Sequence, residues 1–356
     1  RIAMAPPVNN ARAPGDMDLQ RRRLSMTAKA EAQQAAPKRE GRRSVAGQLP
    51  NGREGSFSSA VSDSAESEQL LDLGGGFVCR WAALTRAGQD PGRVKKTNQD
   101  AWAVEEAAPG GRVVLGVFDG HGFNGERVSQ SVAAKVPSAL VSSLAGGATG
   151  AGPCVEAALC EAFEGANRAV MDTNSYNVQL SGSTGVVCVA GGGRLTVANV
   201  GDSRSFVARG AGVSLDVDEL NVEHKPTDPA EAARIEQSGG AICPFEVDGE
   251  PVGPPRVWVA GEDGPGLCMT RAFGDGMAHS VGVHATPTLV HRDLQGGDKL
   301  LVMCSDGITE FIEPKEVATL VQAVRMMGAS PFAACQAMVD EARKRWEAEE
   351  EDVIDD

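Results

Sequence analysis

Residues 113–122 read Val113-Val114-Leu115-Gly116-Val117-Phe118-Asp119-Gly120-His121-Gly122. The apolar run reads as a β-strand that delivers an aspartate where it opens to solvent. The glycines around His121 let backbone carbonyls approach a ligand closely. The same logic recurs in Lys299-Leu300-Leu301-Val302-Met303-Cys304-Ser305-Asp306-Gly307 and in Leu195-Thr196-Val197-Ala198-Asn199-Val200-Gly201-Asp202-Ser203-Arg204. Asn98-Gln99-Asp100 comes just before another apolar run. Any one of these alone reads best as an aspartate turn. Three strands each ending in or beside an aspartate are harder to explain that way. Without a Cys or His ligand set nearby, such carboxylates point to a hard, oxygen-preferring ion, Mg²⁺ or Mn²⁺.

Working outward, short apolar β-prone runs bounded by turns occupy 77–84, 101–105, 112–118, 185–190, 194–200, 204–209, 256–259 and 298–304, with Gly191-Gly192-Gly193 as a hairpin loop. Helical periodicity marks 126–145, 154–172, 228–238, 314–327 and 331–348. Asp228 is the expected N-cap of the third of these, with Pro229 at its first position. Strands mixed with pairs of long helices predict one α+β layered domain from 76 to 356. Residues 1–75 differ. They are rich in Ala, Ser, Arg, Gln, Gly and Pro, carry 11 Lys+Arg against 9 Asp+Glu, and read as a disordered regulatory tail. Arg21-Arg22-Arg23-Leu24-Ser25 and Arg42-Arg43-Ser44-Val45 read either as basophilic kinase sites or as solvated basic tracts.

Composition narrows the classes. The 356 residues are 42% hydrophobic and 4% aromatic with a formal charge of −14, which argues against a broad grip on nucleic acid. No apolar run is long enough for a membrane span or a signal-peptide core. The eight cysteines lie scattered without a CxxC pair, and most read as reduced core thiols of an intracellular, cytoplasmic or nuclear protein. There is no GxxxxGK[ST] loop, no HExxH helix and no GxSxG elbow.

Seven motifs then occur in order: Asn98-Gln99-Asp100, Phe118-Asp119-Gly120-His121-Gly122, Ser181-Gly182-Ser183-Thr184, Asn199-Val200-Gly201-Asp202-Ser203-Arg204, Glu223-His224-Lys225-Pro226, Thr270-Arg271-Ala272-Phe273-Gly274-Asp275 and Ser305-Asp306-Gly307. Together they resemble the PP2C (PPM) family of metal-dependent serine/threonine protein phosphatases, and residues 256–267 resemble its plant and protist branch. The resemblance implies an α+β, four-layer α-β-β-α sandwich of two antiparallel sheets flanked by helix pairs. It also implies a two-metal site. Asp119 would bridge both ions, the Gly120 carbonyl would bind one, and Asp306 and Asp355 would hold the other. Asp100 would position metal-bound water, and Asp202 with Asp306 would take a weaker third ion. The implied reaction hydrolyses phosphoserine or phosphothreonine in phosphorylated protein substrates through a metal-bridged hydroxide, without a phosphoenzyme. His121 would protonate the leaving alkoxide. The expected protein is a monomer with no nucleic-acid or membrane partner.

Three departures from the family pattern bear on activity. Gln99 stands where a glutamate is frequent, offering less charge to an ion. Lys95, with Lys96 and Arg93 beside it, stands where a phosphate-gripping arginine is usual, and it lacks the bidentate fork. Finally, Glu351-Asp352-Val353-Ile354-Asp355-Asp356 reaches the last metal aspartate and stops: if the sequence is complete, a final core strand is missing and Asp355 frays, and the other reading is a truncated sequence. These departures motivate an alternative: a pseudophosphatase, a binding module for phosphoproteins or a partner that turns over poorly. A third reading treats the acidic strand ends as turns only. The segment 242–266 reads equally as a docking flap or an ordinary surface loop.

Overall fold

The computed structural model describes residues 56–58, 63–67, 70–90, 94–107, 111–145, 154–247, 250–262, 264–350 and 353–356. Arg112–Phe118 lies inside a six-stranded antiparallel sheet in the order Ser56–Ser58, Ala101–Ala107, Arg112–Phe118, Gly185–Gly191, Arg194–Val200, Thr288–Asp293. Its apolar run is continuous because both faces are covered. Val114 and Phe118 pack under the helices Gly125–Ala145 and Val155–Met171, against Val128, Val132, Leu159 and Phe163. Val113, Leu115 and Val117, pointing the other way, pack against residues of the second sheet such as Val207, Leu301 and Met303.

The second sheet has the order Leu215–Glu219, Arg204–Gly210, Asp298–Cys304. The helices Pro314–Met326 and Pro331–Glu349 cover its far side, with Val317, Val321, Ala334 and Ala342 on Phe206, Val302 and Ile308. The layers therefore run helix pair, sheet, sheet, helix pair, as the four-layer α+β expectation requires. Between the sheets lies a cavity of about 600 Å³, lined by Trp81, Trp102, Leu195 and Met303 and reaching Asp100 and Asp355 at one end.

Local expectations fare unevenly. Gly192 and Gly193 adopt φ of 63° and 75°, the left-handed pair that a two-residue hairpin needs. The Asp228 carboxylate caps Pro229–Gln237 by accepting from Ala230 N and Glu231 N at 2.8 and 3.1 Å. The run 77–84 is two strands, not one: Phe77–Cys79 pairs with Leu71–Gly74, and Ala82–Leu84 pairs with Ser64–Glu66. Paired strands thus lie on the tail side of the 75/76 boundary, while residues 1–55 and both basic serine motifs lie outside the described residues.

The segment 242–266 falls within a three-stranded sheet of Gly240–Val247, Glu250–Val259 and Pro265–Leu267. Ile235, Val257, Leu267 and Met269 form its own small core. Of the cysteines, Cys188 and Cys304 are buried, with thiols that burial pushes up to about 12, whereas Cys154 and Cys243 are exposed. No described helix is long and apolar enough to cross a membrane.

Candidate metal and phosphate site

Strand register explains why distant aspartates meet. Ala101 pairs with Phe118, so Asp100 and Asp119 are neighbours just beyond one end of the first sheet. Val186 pairs with Val117 and Gly185 with Val200, which brings Gly201-Asp202 to the same end. The chain then crosses into the second sheet, where Arg204 pairs with Cys304. Asp202 and Asp306 each stand two residues beyond that pair. Four aspartates separated widely in sequence therefore share one edge of the sandwich.

The turn after Asp119 is closely packed. Thr184 N donates to Asp119 O at 2.8 Å, and Thr184 Oγ1 accepts from Asp119 N at 3.1 Å. A Cβ on Gly120 would lie 2.4 Å from Gly125 O and 2.5 Å from Gln99 O, so no side chain fits there. Gln99 braces this turn: its Nε2 donates to Gly122 O at 2.7 Å. A glutamate carboxylate in that place could not donate this bond.

Asp355 is held, contrary to the expected fraying. Ile354 bridges Gln89 through two backbone hydrogen bonds of 2.7 and 2.9 Å. The Asp356 carboxylate accepts from Gly88 N at 2.7 Å and Gln99 N at 2.8 Å. Lys96 pairs with Asp355 and lies 3.4 Å from Asp356. Burial disfavours the Lys96 charge, but Asp355 and Asp356 outweigh it and raise its pKa far above the ordinary value. A Cβ on Gly88 would lie 2.1 Å from Ile354 O. Gly88→Ala is therefore expected to unseat the 353–356 segment at a cost of roughly 1–3 kcal/mol. It should also weaken Mn²⁺ binding at least about tenfold, one lost ligand's worth. Calorimetric Mn²⁺ titration checks this, and unchanged affinity would exclude Asp355 from the site.

Asp100 accepts from Ser305 Oγ at 2.7 Å. Burial, followed by the negative charge of Asp356, pushes its carboxyl up to about 8. Asp202 is buried and pairs with Lys225. Burial works to raise its pKa, but the Lys225 ammonium holds it below the usual carboxylate range. Its Oδ1 has no hydrogen-bond partner among the described residues. His121 Nε2 lies 2.7 Å from Asp275 Oδ2.

The side chain of Lys95 and the neighbouring Arg93 fall outside the described residues; the Lys95 backbone pairs with Gln89. Among the described residues, no group of three or more Asp, Glu, His and Cys side chains is arranged to hold an ion. Lys96 and Lys225 instead compensate Asp355 and Asp202. The donors nevertheless suit a hard cation: among the described residues they are oxygens, and one, Asp202 Oδ1, is a buried carboxylate oxygen without a hydrogen-bond partner.

Sequence comparison agrees with this architecture. The sequence model of the family described as "Protein phosphatase 2C" matches residues 93–350. The chain belongs to the protein phosphatase 2C family. A rice protein, "Probable protein phosphatase 2C 64", is 33% identical over 71% of this chain and 58% of its own length. An Arabidopsis thaliana protein, "Probable protein phosphatase 2C 61", is 33% identical over 71% of this chain and 76% of its own. Two solved structures share the fold. A serine-threonine phosphatase 2C from Toxoplasma gondii has a TM-score of 0.63 at 20% identity, covering 83% of this chain and 97% of its own. A C. elegans sex determining protein has a TM-score of 0.59 at 22% identity, covering 73% and 60%.

Within this phosphatase 2C chain, sequence reasoning missed Lys225, Asp275 and Asp356 as parts of the site, and it set Lys96 beside Lys95 without its partner Asp355. Lys225 and Asp275 lie inside motifs already singled out. Asp275 reaches His121 through strand register, and Lys225 reaches Asp202 because the loop around it folds back, with His224 N donating to Gly201 O at 3.0 Å; spacing reveals neither.

Proposed function

We propose that this chain hydrolyses phosphoserine and phosphothreonine esters in proteins, using Mg²⁺ or Mn²⁺. The observation that carries the reading is the register that gathers Asp100, Asp119, Asp202 and Asp306 at one sandwich edge with His121 beside them. Asp119, the Gly120 carbonyl, Asp306 and Asp355 would hold two ions, and Asp202 with Asp306 a weaker third. When bound, such ions supply positive charge for phosphoryl oxygens and lower the pKa of water. Asp100 accepts a hydrogen bond and orients water, Lys95 attracts the phosphate dianion, and His121 delivers a proton to the departing alkoxide.

The raised pKa of Asp100 gives a signed prediction. Below about 8 the carboxyl is mostly protonated without an ion, so binding at pH 7 must release its proton. Mn²⁺ affinity is expected to rise about tenfold per pH unit up to about 8 and to level off above it. Calorimetry at pH 6, 7 and 8 in buffers of different ionisation enthalpy measures both the slope and the released proton. An affinity independent of pH would remove Asp100 from the site.

A second reading is favoured by Lys96 and Lys225, whose ammonium groups already neutralise Asp355 and Asp202. If they outcompete the ions, the chain is a pseudophosphatase that binds phosphoproteins and turns them over poorly. Hydrolysis of a phosphothreonine peptide in millimolar Mn²⁺, with a chelator control, separates the two. Chelator-sensitive phosphate release supports the enzyme, and peptide binding without release supports the binding module.

A further inference from the structure

We propose that Asp275 is a positioning residue that fixes the imidazole of His121 so that Nδ1 alone remains for proton delivery. This inference rests on the phosphatase reading. A three-stranded sheet of Gly120–Gly122, Ser181–Ser183 and Phe273–Gly274 puts the two residues together. His121 pairs with Gly182, and Gly182 with Gly274, so Asp275 follows the third strand and reaches back across the middle one. Gly182 leaves the necessary space: a Cβ there would lie 2.1 Å from Asp275 Oδ2. Across that gap, Asp275 Oδ2 stands 2.7 Å from His121 Nε2. An ionised carboxylate can only accept, so Nε2 carries the proton of this bond and Nδ1 is the remaining nitrogen.

The arrangement is costly to keep. Asp275 is completely buried and is the one non-glycine residue with positive φ among the described residues, at 49°. Its Oδ1 has no hydrogen-bond partner among them. Backbone strain and a half-satisfied buried carboxylate at one residue mark a position maintained for what its other oxygen does. Three backbone hydrogen bonds secure it: Asp275 N to Ser181 O at 2.9 Å, Gly276 N to Val178 O at 2.9 Å and His279 N to Asp275 O at 2.9 Å. Asn167 Oδ1 accepts from Gly274 N at 2.9 Å and fixes the preceding residue. A residue serving only as a helix cap would bond a nearby backbone N–H through its side chain, and Asp275 makes no such bond.

The test compares two esters that differ in what they ask of an acid. A threonine alkoxide needs a proton to leave, whereas p-nitrophenolate leaves without one. Asp275→Asn keeps shape and tolerates the left-handed backbone, and Asp275→Gly removes the strain together with the carboxylate. Both are expected to lower kcat on a phosphothreonine peptide at least about tenfold while changing kcat on p-nitrophenyl phosphate less than about threefold. The double variant with His121→Ala should be no worse than His121→Ala alone. Equal losses on both esters, no loss on either, or losses that multiply in the double variant would overturn the assignment.

A wild-type chain inactive on both esters would defeat the phosphatase reading instead. Ring ¹⁵N shifts of His121 then decide the pairing by themselves. Protonated Nε2 that becomes a tautomer mixture in Asp275→Asn supports it, and unchanged shifts overturn it.

Discussion

Replacing Asp119 by Asn should lower metal-dependent hydrolysis of a phosphothreonine peptide by a factor on the order of 10³ or more. Asp306→Asn should do the same. Asp119 follows the Arg112–Phe118 strand directly and its backbone is fixed on both sides by Thr184, so the amide would occupy the carboxylate's place without disturbing the fold. What is lost is charge. Each substitution would remove one anionic ligand from the sandwich edge where these carboxylates gather. Melting temperature without metal should stay within a few degrees of wild type, and the stabilisation gained from Mn²⁺ should disappear with the activity. Retained turnover in both variants would sink the site assignment.

The second large effect concerns stability. Glu231 is buried and accepts from Thr270 Oγ1 at 2.6 Å, Arg271 Nη2 at 2.6 Å and Arg234 Nη2 at 2.8 Å. Burial alone would raise its pKa, but hydrogen bonds from Arg234, Arg271 and Thr270 hold it far below the ordinary carboxylate range. Glu231→Ala leaves two arginines without their shared anion, which typically costs about 3–5 kcal/mol. Urea denaturation measures the loss. If Arg271→Met added to Glu231→Ala restores none of it, uncompensated charge is not the cause.

Acid should act on the same region. Burial, with Arg271 nearby, lowers the pKa of His224 to about 4 from its ordinary 6.5. The folded state therefore binds fewer protons than the unfolded state between those values, and stability falls as pH drops from about 6.5 towards 4. Glu231 contributes in the same sense at lower pH: its stabilisation is full above the ordinary glutamate value and is lost as pH falls through its depressed one.

How much of this was legible in the sequence depends on the range of the forces involved. The long apolar runs ending in Asp119, Asp202 and Asp306 showed strands and their exits, because burial on both faces writes itself as consecutive Val, Leu and Cys. The hairpin at Gly192-Gly193 and the cap at Asp228 were equally readable, being local backbone chemistry. The outer strands Leu215–Glu219 and Thr288–Asp293 were not, since the first alternates with charge and the second has only a short apolar run before His291-Arg292-Asp293. Nor could spacing show that Lys96 would reach Asp355 or that Asp275 would reach His121. Those pairs join segments more than 150 residues apart in sequence.

The cavity between the two sheets is open to solvent along part of its lining, so water can fill it. A layer that is not close-packed lets the elements on either side shift with less loss of contact than a solid core allows. Here the space reaches Asp100 and Asp355 at one end, while the strands leading to Asp119 and Asp306 lie on opposite sides of it. A relative shift of the two sheets changes the separation of the carboxylates they carry. Cation affinity in this chain should therefore respond to substitutions that fill the cavity without touching a carboxylate.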